Sequence, residues 1–431
     1  MSELRAGQVV ALTNGSTVSV IKELGRGGQG IVYLVNYNGK QAALKWYILD
    51  YKDAFYQNIE NNVRLGSPSP SFLWPIALTK RQLGSFGYVM DLRPDGYEEI
   101  GSFMLAKVRF RNVEALMQAA LEICAAFQKL HIKGMSYQDM NDGNFFINPR
   151  NGHVLICDND NVAPDRVNMG IVGKSGYMAP EIVEKESMPN RYTDYFSLAV
   201  ILFILFYLNR PFEGARVAKC PCLTEEAERM FYGKGCVFIM DPTDDSNRPV
   251  RGLHTNVLRR WPLFPKLLRE TFIKAFCKEA ITTPNKRILD KTWEQVLLQV
   301  RSQFIPCSSC GEKTFIDNID SNTNKCMECG GAIQRPAILK SGNFRIPLVK
   351  DQVLYACQTQ ASMDTDINQR VGVVVENSNT GKLGIKNVSG MLWQVTTPVG
   401  ETRNVENNSG LPIIDDMKIR FNKDITGLII K

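Results

Sequence analysis

A chain of 431 residues is too long for one hydrophobic core, so roughly two to four domains are expected. With 44% hydrophobic and 22% charged residues the composition is that of a folded globular protein, which excludes extended disorder. The net charge of +7 is spread without a basic run, so the chain reads as a mildly basic soluble protein rather than a nucleic-acid binder.

Met1–Val10 lacks a basic segment followed by an apolar core, so no secretion signal is expected. The longest apolar stretch, Leu198–Leu208, is too short to span a bilayer and reads as a buried helix. An odd total of 11 cysteines without a secretion signal points to the reducing cytoplasm and away from a disulfide framework.

In chain order, Gln8–Leu12 and Val18–Leu24 are β-prone runs separated by the turn Asn14-Gly15. A glycine-rich segment follows, then Ile31–Asn36, the turn Asn38-Gly39 and Ala42–Tyr47, which makes an antiparallel meander. Helical periodicity marks Val113–His131, Tyr195–Leu208, Phe264–Cys277 and Thr292–Phe304. Pro306 opens a short cysteine-bearing segment, and from about Phe344 to Lys431 apolar and polar residues alternate as in an all-β domain.

Five motifs carry chemistry. Leu24-Gly25-Arg26-Gly27-Gly28-Gln29-Gly30 lies between two strands, and its glycines let backbone N–H groups approach phosphate. Ala42-Ala43-Leu44-Lys45 sits on the next strand and offers a cation. Tyr137-Gln138-Asp139-Met140-Asn141-Asp142-Gly143-Asn144 follows a helix. Ile156-Cys157-Asp158-Asn159-Asp160 is a strand ending in carboxylates, and Tyr177-Met178-Ala179-Pro180-Glu181 comes after it.

In this order and spacing the motifs resemble the eukaryotic-like protein kinase family over about residues 10–300. The resemblance implies ATP with Mg²⁺ or Mn²⁺ as cofactors and a protein Ser/Thr hydroxyl as acceptor. It implies that Lys45 orients the phosphates, Glu60 holds Lys45, Asp139 positions the acceptor hydroxyl, and Asn144 with Asp158 binds the metal. Gly25, Gly27, Gly28 and Gly30 would cover the nucleotide. Val32, Ala43, Met90, Asp91 and Leu92 would receive its base. Asp194 resembles the aspartate of the large buried helix, and Arg287 the arginine that pairs with Glu181.

Several positions depart from the family pattern: Tyr137 precedes Gln138 in the altered catalytic motif, and Asn159 and Asp160 replace the phenylalanine and glycine that follow the metal-binding aspartate. Gln138 replaces an arginine that receives activating phosphate. Between Asp158 and Glu181 the only hydroxyl residues are Ser175 and Tyr177, so phosphorylation there is not the expected on-switch. Asn141 replaces a catalytic lysine, and Lys174 stands where a threonine usually contacts the catalytic aspartate. Lys174 is therefore expected to reach Asp139 and supply the lost charge.

Ser71-Phe72-Leu73-Trp74-Pro75 and Asp158-Asn159-Asp160-Asn161-Val162-Ala163-Pro164 narrow the resemblance to a bacterial subfamily of tellurium-resistance-associated phosphorylation systems. That resemblance implies a von Willebrand type A protein and a metal-dependent Ser/Thr phosphatase as partners.

Cys307-x-x-Cys310 and Cys326-x-x-Cys329, 15 residues apart, have zinc-ribbon spacing, and four thiolates make a closed structural site for one Zn²⁺. The tail resembles a forkhead-associated sandwich through Val353–Gln358, Gly384–Val388, Met391–Thr397 and Met417–Phe421. Cys357-Gln358 stands where that family's Gly-Arg pair would be. The expected architecture is thus α+β: a bilobal protein-kinase-like fold over 1–303, with lobes at about 1–92 and 93–303, a zinc ribbon over 304–335 and an all-β, forkhead-associated-like sandwich over 340–431. Two rival classes remain open from sequence, a pseudokinase scaffold and a zinc-ribbon nucleic-acid binder with a regulatory kinase domain.

Overall fold

The computed structural model describes residues 3–170, 173–317, 325–360 and 366–431. The chain forms two compact units. One comprises residues up to 261 with 270–294, the other 262–269 with 295–431.

The first unit opens with a six-stranded antiparallel sheet. Its strands are β1 Val9–Ala11, β2 Thr17–Arg26, β3 Gly30–Tyr37, β4 Lys40–Tyr47, β5 Ala77–Leu78 and β6 Gly87–Asp91, in the order β1-β2-β3-β4-β6-β5. Thr13 N–H donates to Leu78 O at 2.8 Å and Lys80 N–H to Ala11 O at 2.9 Å, so the outer strands meet and the sheet curls towards closure. Side chains alternate across β4 with the period of two that any strand imposes. Leu44 and Trp46 join one buried cluster with Val10, Val20 and Val35. Ala43 and Tyr47 join the other, with Phe55 and Ile59 of helix α1, Asp53–Leu65. Lys45 lies between Leu44 and Trp46 and so shares the face of Ala43 and Tyr47.

The rest of the unit is built on two long helices. Val113–Ile132 is capped by the Asn112 side chain, which accepts from Ala115 N–H. Arg191–Tyr207 starts with a capping box between Asn190 and Thr193 and is buried from Thr193 onward, which accounts for its uniformly apolar sequence. Four short strands lie between them in the chain. Met135–Tyr137 pairs with Val162–Pro164, and Phe145–Ile147 with Val154–Ile156. These registers put loops 138–144 and 157–161 side by side, with Cys157 N–H donating to Asn144 O at 2.9 Å.

A buried knot fixes the first of those loops. The His131 ring bonds Asp290 through Nδ1 at 2.7 Å and Asp194 through Nε2 at 3.0 Å. Asp194 also accepts from Tyr137 N–H at 2.7 Å. Burial opposes the imidazolium, yet the two carboxylates outweigh it and hold His131 up at about 9, against 6.5 for a free imidazole. Burial pushes the Asp194 carboxyl up, and its bond to His131 pulls it back. A folded value above the unfolded one stabilises fully below pH of about 6.5 and is lost as pH rises through about 9. The melting temperature is therefore expected to fall across that window, by the equivalent of on the order of 3 kcal/mol, and His131→Asn to flatten the profile. A variant with the wild-type slope between those pH values would place the titration elsewhere. Arg287 meets Glu181 through two bonds of 2.8 and 2.6 Å, the pairing expected from sequence.

The second unit begins earlier than the expected break at 303. The Phe264 ring packs 5.8 Å from that of Phe315, and Lys266 N–H donates to the Asp317 carboxylate, which draws 262–269 into it. A hairpin of Phe304–Pro306 and Lys313–Phe315 holds Cys307 and Cys310 in its loop, and Cys326 and Cys329 follow. Two sheets follow. One runs in the order Phe344–Pro347, Ile338–Ser341, Thr426–Ile430, Lys418–Arg420, Trp393–Thr396, Thr402–Val405. The other runs Val353–Tyr355, Arg370–Glu376, Leu383–Asn387, Gly410–Pro412. Leu339, Trp393 and Ile419 of the first and Leu354, Val374 and Ile385 of the second share one buried cluster, so the sheets form a sandwich.

One expected strand is corrected. Val353–Gln358 ends as a strand at Tyr355, and Ala356–Thr359 is a helical turn. The turn forms because the Gln358 side chain reaches back to accept from Tyr355 N–H at 2.9 Å. Cys357 and Gln358 are consequently buried.

Candidate active site

The glycine-rich motif runs from the end of β2 through the β2–β3 loop to the first residue of β3. A Cβ on Gly30 would run into the Trp46 carbonyl oxygen, so only glycine lets β3 approach β4 at that point. Beneath the loop lies a cleft of about 950 Å³. The glycine positions 25, 27, 28 and 30 line its roof, and Val32, Ala43, Met90, Asp91 and Leu92 its inner wall. Lys45, Asp139, Asn144 and Asp158 line the far side. Arg93, unforeseen in the sequence, adds its guanidinium, 3.8 Å above the Phe146 ring.

Lys45 is 5% exposed. Stripping water from an ammonium costs several kcal/mol unless opposite charge replaces it. Here that charge comes from Asp160 at 2.8 Å and Asp158 at 3.2 Å, and Gln29 Oε1 accepts at 3.3 Å. The carboxylates hold the lysine pKa above its usual value against the opposing pull of burial.

The expected pairing of Lys45 with Glu60 is corrected. Helix α1 turns Phe55, Asn58, Ile59 and Asn62 inward, and Glu60 is exposed. The helix meets the site through amides instead. Asn58 and Asn62 both donate to Val162 O, at 2.8 and 3.0 Å.

Asp139 sits at the floor of the cleft. Burial raises its pKa, a bond from Asn141 Nδ2 at 3.0 Å lowers it, and nearby Asp158 raises it again. Asn144 Nδ2 donates to Asp139 O at 2.8 Å, which fixes the loop and leaves its amide oxygen free of that bond. Asp158 adopts the left-handed conformation, φ 51°. Its carboxylate is 40% exposed, unlike that of Asp160. Tyr137 hydroxyl donates to Cys157 O just before Asp158 and clasps the two loops together.

Lys174 is placed differently from expectation. Its amine pairs with Asp142 at 3.3 Å, and Arg210 reaches the same carboxylate at 3.6 Å. Asp142, in loop 138–144, captures the cation before it reaches Asp139, although Lys174 still lowers the Asp139 pKa through space. Gln138, which carries no charge to receive a phosphate, makes a contact the sequence does not reveal. Its amide donates to Val167 O and accepts from Met169 N–H at 3.2 Å, so it tethers the segment after Asp158 without any charge. Ser175 donates to Glu228 at 2.8 Å.

The donor set fits a divalent cation: Asp158 and Asn144 present oxygen ligands on one side of the cleft, the hard-donor chemistry such ions prefer. In the second unit the Sγ atoms of Cys307, Cys310, Cys326 and Cys329 all lie within 4.8 Å of one another. Cys307–Cys329 and Cys310–Cys326 are each 3.7 Å apart. A sulfur tetrahedron around zinc, with Zn–S of about 2.3 Å, has edges of about 3.8 Å. Backbone N–H groups of Ser309, Glu328 and Gly331 point at three of the sulfurs, at 3.3–3.4 Å, as thiolates require. The cluster therefore fits zinc.

Residues 18–232 match the protein kinase domain family. The chain is 30% identical over 212 residues to cAMP-dependent protein kinase type 3 of Saccharomyces cerevisiae, covering 47% of this chain and 52% of that one. It is 28% identical over 206 residues to protein kinase C delta type of Homo sapiens, 45% of this chain and 29% of the other. The chain thus spans about half, or less, of the length of these curated relatives. Among solved structures, the kinase domain of PknI from Mycobacterium tuberculosis aligns with a TM-score of 0.46 and 17% identity, over 70% of this chain and 100% of that one. Among the described residues no helix is long and apolar enough to cross a membrane.

Proposed function

We propose that this chain's protein kinase domain transfers the γ-phosphoryl group of ATP to Ser/Thr hydroxyls of protein substrates. One observation carries the reading: Lys45, Asp139, Asn144 and Asp158 converge on one cleft beneath a glycine-rich loop. In the cleft Lys45 holds the phosphates, and the glycine loop closes over them with backbone N–H groups. Asp139 orients the acceptor hydroxyl and takes its proton, for which a raised pKa is an advantage. Asn144 and Asp158 hold Mg²⁺ or Mn²⁺, which when bound neutralises charge on the phosphate oxygens. Lys174, held by Asp142, acts on Asp139 only through space, where it lowers the carboxyl pKa.

Gln138 supports a domain that needs no activating phosphate. Its two amide bonds to the segment after Asp158 do the work that an arginine–phosphate pair would do. The test is transfer of labelled γ-phosphate from ATP, with and without Mg²⁺, to a lysate fraction and to the protein itself. Wild type and Ser175→Ala are expected to be equally active, and Gln138→Ala to lose about 10-fold or more through misplacement of the loop. Inactivity of Ser175→Ala, with activity in the wild type appearing only when Ser175 is phosphorylated, would restore a phosphate switch.

The setting we infer is a cytoplasmic signalling set of the tellurium-resistance-associated type, with a von Willebrand type A protein and a metal-dependent phosphatase as partners. The motif Asp158-Asn159-Asp160-Asn161 supports it, since it is on such motifs that the subfamily resemblance rests. The second unit acts as a zinc-stapled platform. The two-sheet order of its sandwich supports a forkhead-associated-like fold, and the burial of Cys357 and Gln358 argues against a phosphopeptide site at that turn.

A further inference from the structure

Asp160 is the one carboxylate of the site with no exposure to solvent, and it lies where no phosphate or metal role has been assigned. Both of its oxygens face Lys45, at 3.1 and 2.8 Å. Tyr47 hydroxyl donates to one of them at 2.6 Å, and Tyr88 hydroxyl lies 3.5 Å from the other. Tyr47 belongs to the same strand as Lys45, two residues on, so strand alternation delivers both side chains to the same carboxylate. On its other side the 3₁₀ turn Asn159–Asn161 presents Asp160 away from the cleft, while Asp158 just before it faces in.

The lysine's two partners are therefore unequal. Asp158 is needed for the cation, and a carboxylate engaged with a divalent ion cannot at once hold the lysine as its sole counter-charge. Asp160 can, because it is sealed from the cleft. Helix α1, which offers amides and an exposed Glu60, contributes no charge to Lys45.

We propose that Asp160 is the positioning residue for Lys45, so that the lysine is anchored from the start of the segment after Asp158 and not from helix α1. The inference rests on the phosphoryl-transfer reading for its kinetic consequence. Its structural part, a charge pair that sets the lysine's place, stands without turnover. The anchor lies at the β4–loop junction, so nucleotide-site geometry is tied to the same segment that Gln138 tethers. Helix α1 meets that segment through uncharged amides, at Val162 O.

The test is a double-mutant cycle on the full chain with Lys45→Met, Asp160→Asn and Lys45→Met/Asp160→Asn. Three quantities are read: kcat and KM for ATP, affinity for a fluorescent ATP analogue, and melting temperature. Asp160→Asn is isosteric and keeps a partner for Tyr47. It is expected to lower kcat/KM by about 10²-fold, as a misplaced lysine does, and to weaken the analogue. The double variant should bind the analogue no worse than Lys45→Met, within about twofold, because residues that act as a pair are not additive. Lys45→Met leaves Asp160 buried without its counter-charge and should melt below the double variant. A residue that merely packs would give losses that multiply in the double variant. That result, or wild-type kinetics and affinity in Asp160→Asn, or Lys45→Met melting above the double variant, overturns the proposal. Where Asp160→Asn alone does not fold, Lys45→Met against the double variant still decides it. A wild type without transfer removes the phosphoryl-transfer reading, and affinity and melting then decide Asp160 by themselves.

Discussion

Asp158→Asn is expected to remove Mg²⁺-dependent phosphoryl transfer while leaving the fold intact. The carboxylate is 40% exposed and faces the cleft, and among the described residues its only ion pair is the 3.2 Å contact with Lys45, which keeps Asp160 at 2.8 Å. An amide of the same shape therefore costs little in packing. What it loses is the negative charge that draws in the cation. Loss of one preorganised electrostatic group costs on the order of 10²–10³-fold in kcat, and here the group also recruits the metal, so that figure is the lower bound. Labelled-phosphate transfer at saturating Mg²⁺ measures it, with the melting curve as control for folding. Equal activity in wild type and Asp158→Asn would sink the catalytic reading. It would favour a nucleotide-binding scaffold.

The second large effect is expected at the four-cysteine cluster. Purified protein should carry about one zinc per chain, and Cys310→Ser should carry close to none. The stakes are high because the segment's described residues offer few buried apolar side chains. Its buried cluster is small, Ile305, Ile316, Ile333 and Ile338 together with Cys307 and Cys326. Structural zinc sites contribute about 10–16 kcal/mol of apparent binding energy at neutral pH, far more than so few side chains supply. Chelation or Cys310→Ser should accordingly open the segment to proteolysis between Cys307 and Ile333. Wild type purified without zinc, together with a Cys310→Ser variant as protected from protease as the wild type, would show that the thiols pack without a metal.

The motifs with local chemistry were legible because a short stretch of backbone decides each of them. Glycines at 25, 27 and 30 around a strand-to-strand turn, a lysine at the next strand's inward phase, and a fixed interval between Asp139 and Asn144 all bring their residues to the cleft. The cysteine pairs belong to the same class, since each Cys-x-x-Cys forms its own tight turn, with Gly311 N–H and Gly330 N–H closing onto Cys307 O and Cys326 O. The long apolar helix Arg191–Tyr207 was legible through its uniform burial, and its start came out four residues earlier than the periodicity suggested because Asn190 and Thr193 cap it.

The residues that escaped are those whose partners lie far away in the chain. Helix α1 reads Asp-Ala-Phe-Tyr-Gln-Asn-Ile-Glu-Asn-Asn, with too few apolar residues to fix its phase, so Glu60 was the natural choice for Lys45. The inward face proved to be Phe55, Asn58, Ile59 and Asn62, with Glu60 turned about 100° or more away from it. Asp160 stands 115 residues from Lys45, and nothing local in Asp158-Asn159-Asp160 says which carboxylate faces the cleft. A left-handed residue at Asp158 followed by a 3₁₀ turn decides it. Lys174 was drawn to Asp142 for a similar reason, the pairing being set by how two loops meet. The sequence by itself determined the chemistry available to this protein, the phosphate-binding backbone, the lysine, the carboxylates and the thiolates, because each depends on residue type and short spacing. Only the tertiary structure decided which charges meet, because a buried ammonium takes whichever carboxylate the packing of distant segments seals in beside it, and no local pattern records that choice.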